Sequence, residues 1–204
     1  MLDNANTRRS VARFIDPVAS TLLRLKATPD GITWFGCGAT FIISVVFLAQ
    51  GNFLIGSILF GAFSLIDLLD GTMARMLGTS GAWGAFLDST LDRISDSAVI
   101  CALIYFYVTA DAGNSQLAVV AGIVSLVMSL MTSYARAKAE SLDAKCTVGI
   151  AERAERNLII WIALLISGLF VDVVPYALAL LAIVSTITVV QRIIFVRKQL
   201  VLKV

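Results

Sequence analysis

The chain has 204 residues, 58% of them hydrophobic and 15% charged, with a mean hydropathy of +0.89 and a formal net charge of +2. Soluble domains carry about 25% charged residues, so an ordinary soluble domain is excluded, and no nucleic-acid partner is expected. The absence of histidine also excludes an imidazole base and a phosphohistidine.

The first 31 residues are too polar and basic for a signal peptide, with no apolar core ahead of a small-residue site. Asp16-Pro17 reads as a helix N-cap followed by proline at the first helical position. Val18, Leu22 and Leu23 then alternate with Arg24 and Lys26. This predicts an amphipathic helix on the inner membrane surface. A plain positive anchor is an equally open reading of the same residues, and the two are compatible. Six apolar stretches of spanning length, or nearly so, follow at roughly 32–50, 53–76, 84–110, 116–140, 157–171 and 174–196. The fifth is short and calls for local thinning, tilt or extension at its ends.

Lys and Arg set the topology. All 16 lie in the N-terminal segment, around the links between spans two and three and spans four and five, or at the end of the chain. The three opposite links, around Gly51-Asn52, Asp111–Ser115 and Asp172-Val173, hold none. The positive-inside rule then places both termini in the cytoplasm with an even number of spans. The predicted fold is an all-α integral membrane protein of six transmembrane helices plus an N-terminal interfacial amphipathic helix, N-in and C-in. Residues 1–31 form the cytoplasmic segment and 32–204 the membrane domain. Cys37, Cys101 and Cys146 have no metal-type spacing and are expected to be packing residues. Small residues at helical spacing, Gly36-x₃-Thr40 and Ser57-x₃-Gly61, permit close helix contacts within the chain or between copies.

Four aspartates interrupt spans two and three. An Asp at the centre of a membrane helix costs about 2.5–3.5 kcal/mol, so four of them need compensating cations. Asp67 and Asp70 share one helix face at i, i+3, and Asp88 and Asp92 share another at i, i+4. Asp70 follows Phe53 by 17 residues, about 25 Å along a helix axis, which places the carboxylates near the cytoplasmic boundary rather than the midplane. Two such pairs suit two hard divalent ions sharing ligands, an arrangement that clamps attacking and leaving oxygens at phosphorus. Gly71 removes a side chain beside Asp70, Ala74 keeps that face low, and Arg75 can reach a phosphate bidentately. Taken alone, D-x-x-D fits a cation or proton pathway equally well.

The whole string is D-x₂-D-G-x₂-A-R-x₈-G-x₃-D-x₃-D, from Asp67 to Asp92, with all eight fixed positions filled. It resembles the signature of the CDP-alcohol phosphotransferases, and the likeness extends along the chain. That resemblance implies a six-span homodimer in the cell membrane, its site facing the cytoplasm. It also implies a CDP-linked lipid such as CDP-diacylglycerol as donor, with Mg²⁺ or Mn²⁺, two ions per site, as cofactor. In its terms Asp67, Asp70 and Asp88 hold the first ion, Asp88 and Asp92 reach the second, and Asp92 is the general base. Gly71, Ala74 and Arg75 line the nucleotide site. Pro29-Asp30-Gly31-Ile32-Thr33 resembles the segment that contributes to the cytidine pocket. A carboxylate base beside a divalent ion agrees with a chain that lacks histidine.

A cationic cluster runs from Thr132 to Asn157, with Glu152 and Glu155 interleaved among its arginines. Such a run ordinarily anchors the inside face and meets anionic lipid. Arginines held by local Glu partners would also suit an acceptor that already carries phosphate. The stretches S-Y-A-R-A-K-A-E and G-I-A-E-R-A-E-R are similar to those of actinobacterial phosphatidylinositol-phosphate synthases. This implies inositol phosphate as acceptor and Ser133, Arg136, Arg153 and Arg192 as its phosphate contacts, with Lys138, Lys145 and Arg156 secondary. Glycerol 3-phosphate is the rival acceptor, making the chain a phosphatidylglycerophosphate synthase, and a divalent-cation transporter is the rival of another class. Asp96, four residues beyond Asp92, is expected to be a structural partner of Arg93 or of a neighbouring helix.

Overall fold

The computed structural model describes residues 16–64, 67–78, 81–110 and 114–201, and for Asp67 and Leu68 the backbone alone. The arginines at 8, 9 and 13 and the lysine at 203 lie outside the described residues. Among those described, all regular structure is helical. Residues 16–24 form α1, followed by α2 (Pro29–Val46), a 3₁₀ turn (Leu48–Gln50), α3 (Phe53–Ser64), α4 (Asp67–Leu77), α5 (Ala82–Thr109), α6 (Ser115–Glu140), α7 (Arg153–Leu169) and α8 (Val174–Val201).

Among the described residues, four helical segments are long and apolar enough to cross a membrane: Pro29–Gln50, Phe53–Leu77, Ser115–Glu140 and Val174–Val201. The chain is thus a multi-pass helical membrane protein. The other two expected spans are present as helices but fall short on composition or length. In α5, Asp88, Asp92, Arg93 and Asp96 fall within the stretch 88–96, and the longest uncharged run left is 97–109. α7 has 17 residues, and Arg153, Glu155 and Arg156 take up its first turn. Helix starts also move outward from the apolar runs. α2 begins at Pro29 rather than 32, because Thr28 caps it: its Oγ1 accepts from the Gly31 N–H at 3.1 Å.

The described chain forms two compact units. One comprises the described residues within 16–43 and 59–95; the other comprises those within 44–58 and 96–201. In the first, α2 is the shared partner of α3, α4 and α5. Its Cys37 packs with Leu87 and Leu91 of α5 and donates through Sγ to the Leu91 carbonyl at 3.6 Å. Phe35 meets Phe63 of α3, ring centroids 5.9 Å apart.

In the second unit, α6 and α8 meet along a seam of small and hydroxyl-bearing residues. Ala118, Ala121, Gly122, Ser125, Ser129 and Thr132 on α6 are buried, as are Ala182, Ser185 and Thr188 on α8. Small side chains let the backbones approach where lipid supplies no hydrophobic drive, and Ser125 Oγ reaches the Leu178 carbonyl across the seam at 2.8 Å. α3 and α7 come closer still: a Cβ on Gly168 would meet the backbone N and Cα of Leu54, and Trp161 Nε1 donates to the Ser57 carbonyl at 2.9 Å. Cys37 and Cys146 are buried as expected, whereas Cys101 is exposed; on α5 it falls outside the packed face formed by Val99, Ala102 and Leu103.

Candidate functional site

Packing decides how the acidic residues are presented. On α5, Leu87 and Leu91 form the stripe buried against α2. Asp88 and Asp92 each lie one position further along, about 100° around the helix. Asp88 is consequently exposed, while Asp92 keeps 13% of its side chain accessible and lies 3.5 Å from Arg93 Nη1. Arg93 also donates to the Ser89 carbonyl at 2.6 Å; it serves Asp92, not Asp96.

Asp70 belongs to the buried face of α4 together with Met73, and is 7% exposed. Its Oδ1 accepts from the Gly71 N–H. Its Oδ2 accepts from the Thr33 hydroxyl of α2 at 2.7 Å. A buried carboxylate requires such donors, and sequence spacing offered no hint of this one, 37 residues away. Arg75 Nη2 donates to Thr72 Oγ1 at 2.9 Å. Its Nη1 lies 3.6 Å from the point a Gly71 Cβ would occupy, and among the described residues, the helix's own backbone aside, no other atom comes within 4 Å of that point. Ala74, on the same helix face as Gly71, is half-buried. At the start of α2, Asp30 accepts from Trp83 Nε1 at 2.9 Å, a contact that ties the expected nucleotide segment to the start of α5.

Among the described residues no three acidic or cysteine side chains come close enough to hold an ion. The Asp67 side chain lies outside the described residues, so the carboxylate set is described at three of its four members. Those three fit a hard divalent cation in donor type, being oxygen ligands only. Among the described residues, the helix's own backbone aside, nothing lies within 4 Å of a Cβ placed on Gly84, one turn before Asp88, so the helix surface there is open.

In the second unit, Asp96 gathers the start of α7. Its Oδ1 lies 3.4 Å from Arg153 Nε and 3.5 Å from Asn157 Nδ2, and its Oδ2 lies 3.7 Å from Arg156 Nη2. The expectation of a structural partner on a neighbouring helix is met by these two arginines. Arg153 remains partly accessible at 28%, whereas Arg156 is buried. Arg156 Nη1 also donates to the Ala151 carbonyl at 3.3 Å.

Arg192 is 3% exposed. Its Nε donates to the Val148 carbonyl at 2.9 Å and its Nη1 to the Thr132 carbonyl at 2.6 Å. It therefore fastens the 144–151 segment and α6 to α8. Gln199 extends the fastening by bonding both backbone groups of Lys145, at 3.0 and 2.7 Å, and Thr188 Oγ1 accepts from the Ala151 N–H at 3.3 Å. Arg136 pairs with Glu140 one turn on, at 2.9 Å on an exposed surface, and Ser133 Oγ turns to the Ser129 carbonyl of its own helix at 3.4 Å. Of the four expected acceptor contacts, the structure thus places Arg153 in an accessible ionic cluster, Arg192 in a buried fastening, and Arg136 and Ser133 in local contacts on α6. Sequence reasoning missed Asn157 and Gln199. The R-x-x-R-N spacing, which sets 153, 156 and 157 on one face, is the signal that was available for Asn157; Gln199 had none.

Residues 26–201 match the family model described as CDP-alcohol phosphatidyltransferase. The phosphatidylinositol phosphate synthase of Cutibacterium acnes is 40% identical over 200 residues, covering 94% of this chain and 96% of that protein. The crystal structure of Mycobacterium tuberculosis phosphatidylinositol phosphate synthase with CDP-DAG bound matches with a TM-score of 0.85 at 36% identity, covering 91% of this chain and 94% of that one. A structure of the same mycobacterial protein in complex with manganese and citrate matches with a TM-score of 0.83 at 36% identity, covering 88% and 87%. The reading as a transporter thereby gives way to that of a transferase. With its match running through every described helix from α2 to α8, the chain belongs to the CDP-alcohol phosphatidyltransferase family.

Proposed function

We propose that this protein transfers the phosphatidyl group of CDP-diacylglycerol to a hydroxyl of myo-inositol phosphate, forming phosphatidylinositol phosphate and releasing CMP. The observation that carries the reading is the fully occupied Asp67-to-Asp92 string inside a family match that spans 26–201. Asp67, Asp70, Asp88 and Asp92 would hold two Mg²⁺ or Mn²⁺ ions. When bound, such ions neutralise phosphate charge and stabilise the oxygens entering and leaving phosphorus.

The chain's own residues do the rest. Arg75, beside Gly71 and Ala74, binds the diphosphate, and Asp30 and Thr33 at the start of α2 flank the cytidine. Asp92 takes the proton of the acceptor hydroxyl, whose oxygen bonds to the lipid-linked phosphorus as the bond to CMP breaks. Arg153, oriented by Asp96, receives the acceptor's phosphate, with Ser133, Arg136 and Arg192 completing that pocket. Six helices span the cytoplasmic membrane with both termini and the site on the inner side. The first 31 residues lie at its surface, residues 32–204 form the membrane domain, and two copies form a dimer.

The test is CMP release by purified protein with CDP-diacylglycerol and Mg²⁺, offered inositol phosphate, free inositol or glycerol 3-phosphate separately. Release with inositol phosphate alone is expected. Release with glycerol 3-phosphate alone would keep the donor chemistry and discard the acceptor, and no release in any reaction would overturn the reading.

A further inference from the structure

Thr33 stands in the first turns of α2, where a threonine hydroxyl ordinarily bonds the carbonyl one turn back. That carbonyl, of Pro29, is 3.1 Å from Oγ1, but Asp70 Oδ2 is nearer, at 2.7 Å. The hydroxyl has a single proton, and a carboxylate is the stronger acceptor at the shorter distance. The β-branched side chain has few χ1 choices in a helix, so the hydroxyl is held where Asp70 needs it. Asp70 is itself buried at 7% exposed, and a carboxylate oxygen has two lone-pair sites. A donor on Oδ2 restricts rotation of the group and so fixes the orientation in which it meets a cation. Ligating carboxylates are commonly held by hydrogen bonds of this kind, whose loss weakens metal binding.

We infer that Thr33 is a positioning residue for divalent-cation binding, acting through its hydroxyl on the Asp70 carboxylate. The inference rests on Asp70 being a metal ligand, as proposed above, and it gives Thr33 a task separate from any contact with cytidine.

The test is Mn²⁺ titration of the purified protein without nucleotide or lipid, following the paramagnetic resonance signal of the free ion, together with metal-free melting curves. Thr33→Val keeps the shape and removes the hydroxyl. It is expected to weaken Mn²⁺ binding about 10–100-fold, while Thr33→Ser stays within about threefold of the parent and both variants melt within a few degrees of it. Parental Mn²⁺ affinity in Thr33→Val, whether or not CMP binding is lost, would overturn the inference and leave the metal assignment intact. A loss of Mn²⁺ binding that appears only with collapse of the metal-free melt, or that Thr33→Ser fails to rescue, would overturn it too. If the parent protein binds no Mn²⁺, the metal reading of Asp70 fails and the inference with it.

Discussion

Asp70, Asp92 and Arg153 differ in how their surroundings prepare them, and so in what their replacement should do. Asp70 has donors on both oxygens, and an amide of the same shape keeps most of that bonding while losing the charge. Asp70→Asn should therefore lower CMP release at least about 100-fold with little change in melting temperature, both measured on one preparation. Asp92 lies beside Arg93 and stays partly accessible, as a proton acceptor must. Asp92→Asn should depress kcat by about 100-fold or more while CDP affinity, read by calorimetry, falls far less; equal losses would make it a ligand only. Arg153 shares the Asp96 carboxylate with Arg156 but is the more accessible of the two. Arg153→Gln should raise KM for inositol phosphate about tenfold, the loss of a charge-assisted bond, with KM for CDP-diacylglycerol nearly unchanged. As candidates, Asp70 and Asp92 stood out by their spacing, and Arg153 by the family resemblance. Their partners did not, because Thr33 and Asp70, or Asp96 and Arg153, are joined only when separate helices pack.

At the scale of elements, glycine separates contacts that matter from those that do not. Gly168 brings α7 against the α3 backbone at Leu54, whereas among the described residues a Cβ on Gly38 of α2 meets nothing within 4 Å. Gly168→Ala should destabilise by about 1–3 kcal/mol through overpacking, seen as a lower melting temperature in detergent. Gly38→Ala should leave the melt unchanged or raise it slightly, since alanine is the better helix former. Neither glycine stood out in the sequence. The small-residue pairs that did, Gly36-x₃-Thr40 and Ser57-x₃-Gly61, mark only part of the close packing, and the α6–α8 seam of alanines, serines and threonines carries more of it.

For the molecule as a whole, the distribution of Lys and Arg makes a claim about sidedness. The link at Gly51-Asn52 is free of cations, whereas the stretch from the last turns of α6 to the first turn of α7 carries Arg136, Lys138, Lys145, Arg153 and Arg156. With the three native cysteines replaced by alanine, a membrane-impermeant thiol reagent should label Asn52→Cys in intact cells and Ser141→Cys only after permeabilisation. The reverse pattern would invert the proposed topology. Labelling of both positions in intact cells would place them on one side and break the even alternation of spans.

Residue order by itself determined the membrane character, the helical periods, the sidedness expected from charge and the eight-position acidic string. Each of these depends on composition or on spacing within one or two helices. Tertiary structure decided which face of each helix is covered, and hence that Asp88 is open while Asp70 is enclosed, that Thr33 serves Asp70, and that Arg192 fastens the 144–151 segment through backbone carbonyls. The physical reason is that a helix fixes only the relative angles of its own side chains. Its rotation about its axis is set by complementary packing with partners tens of residues away, which the linear spacing of residues does not encode.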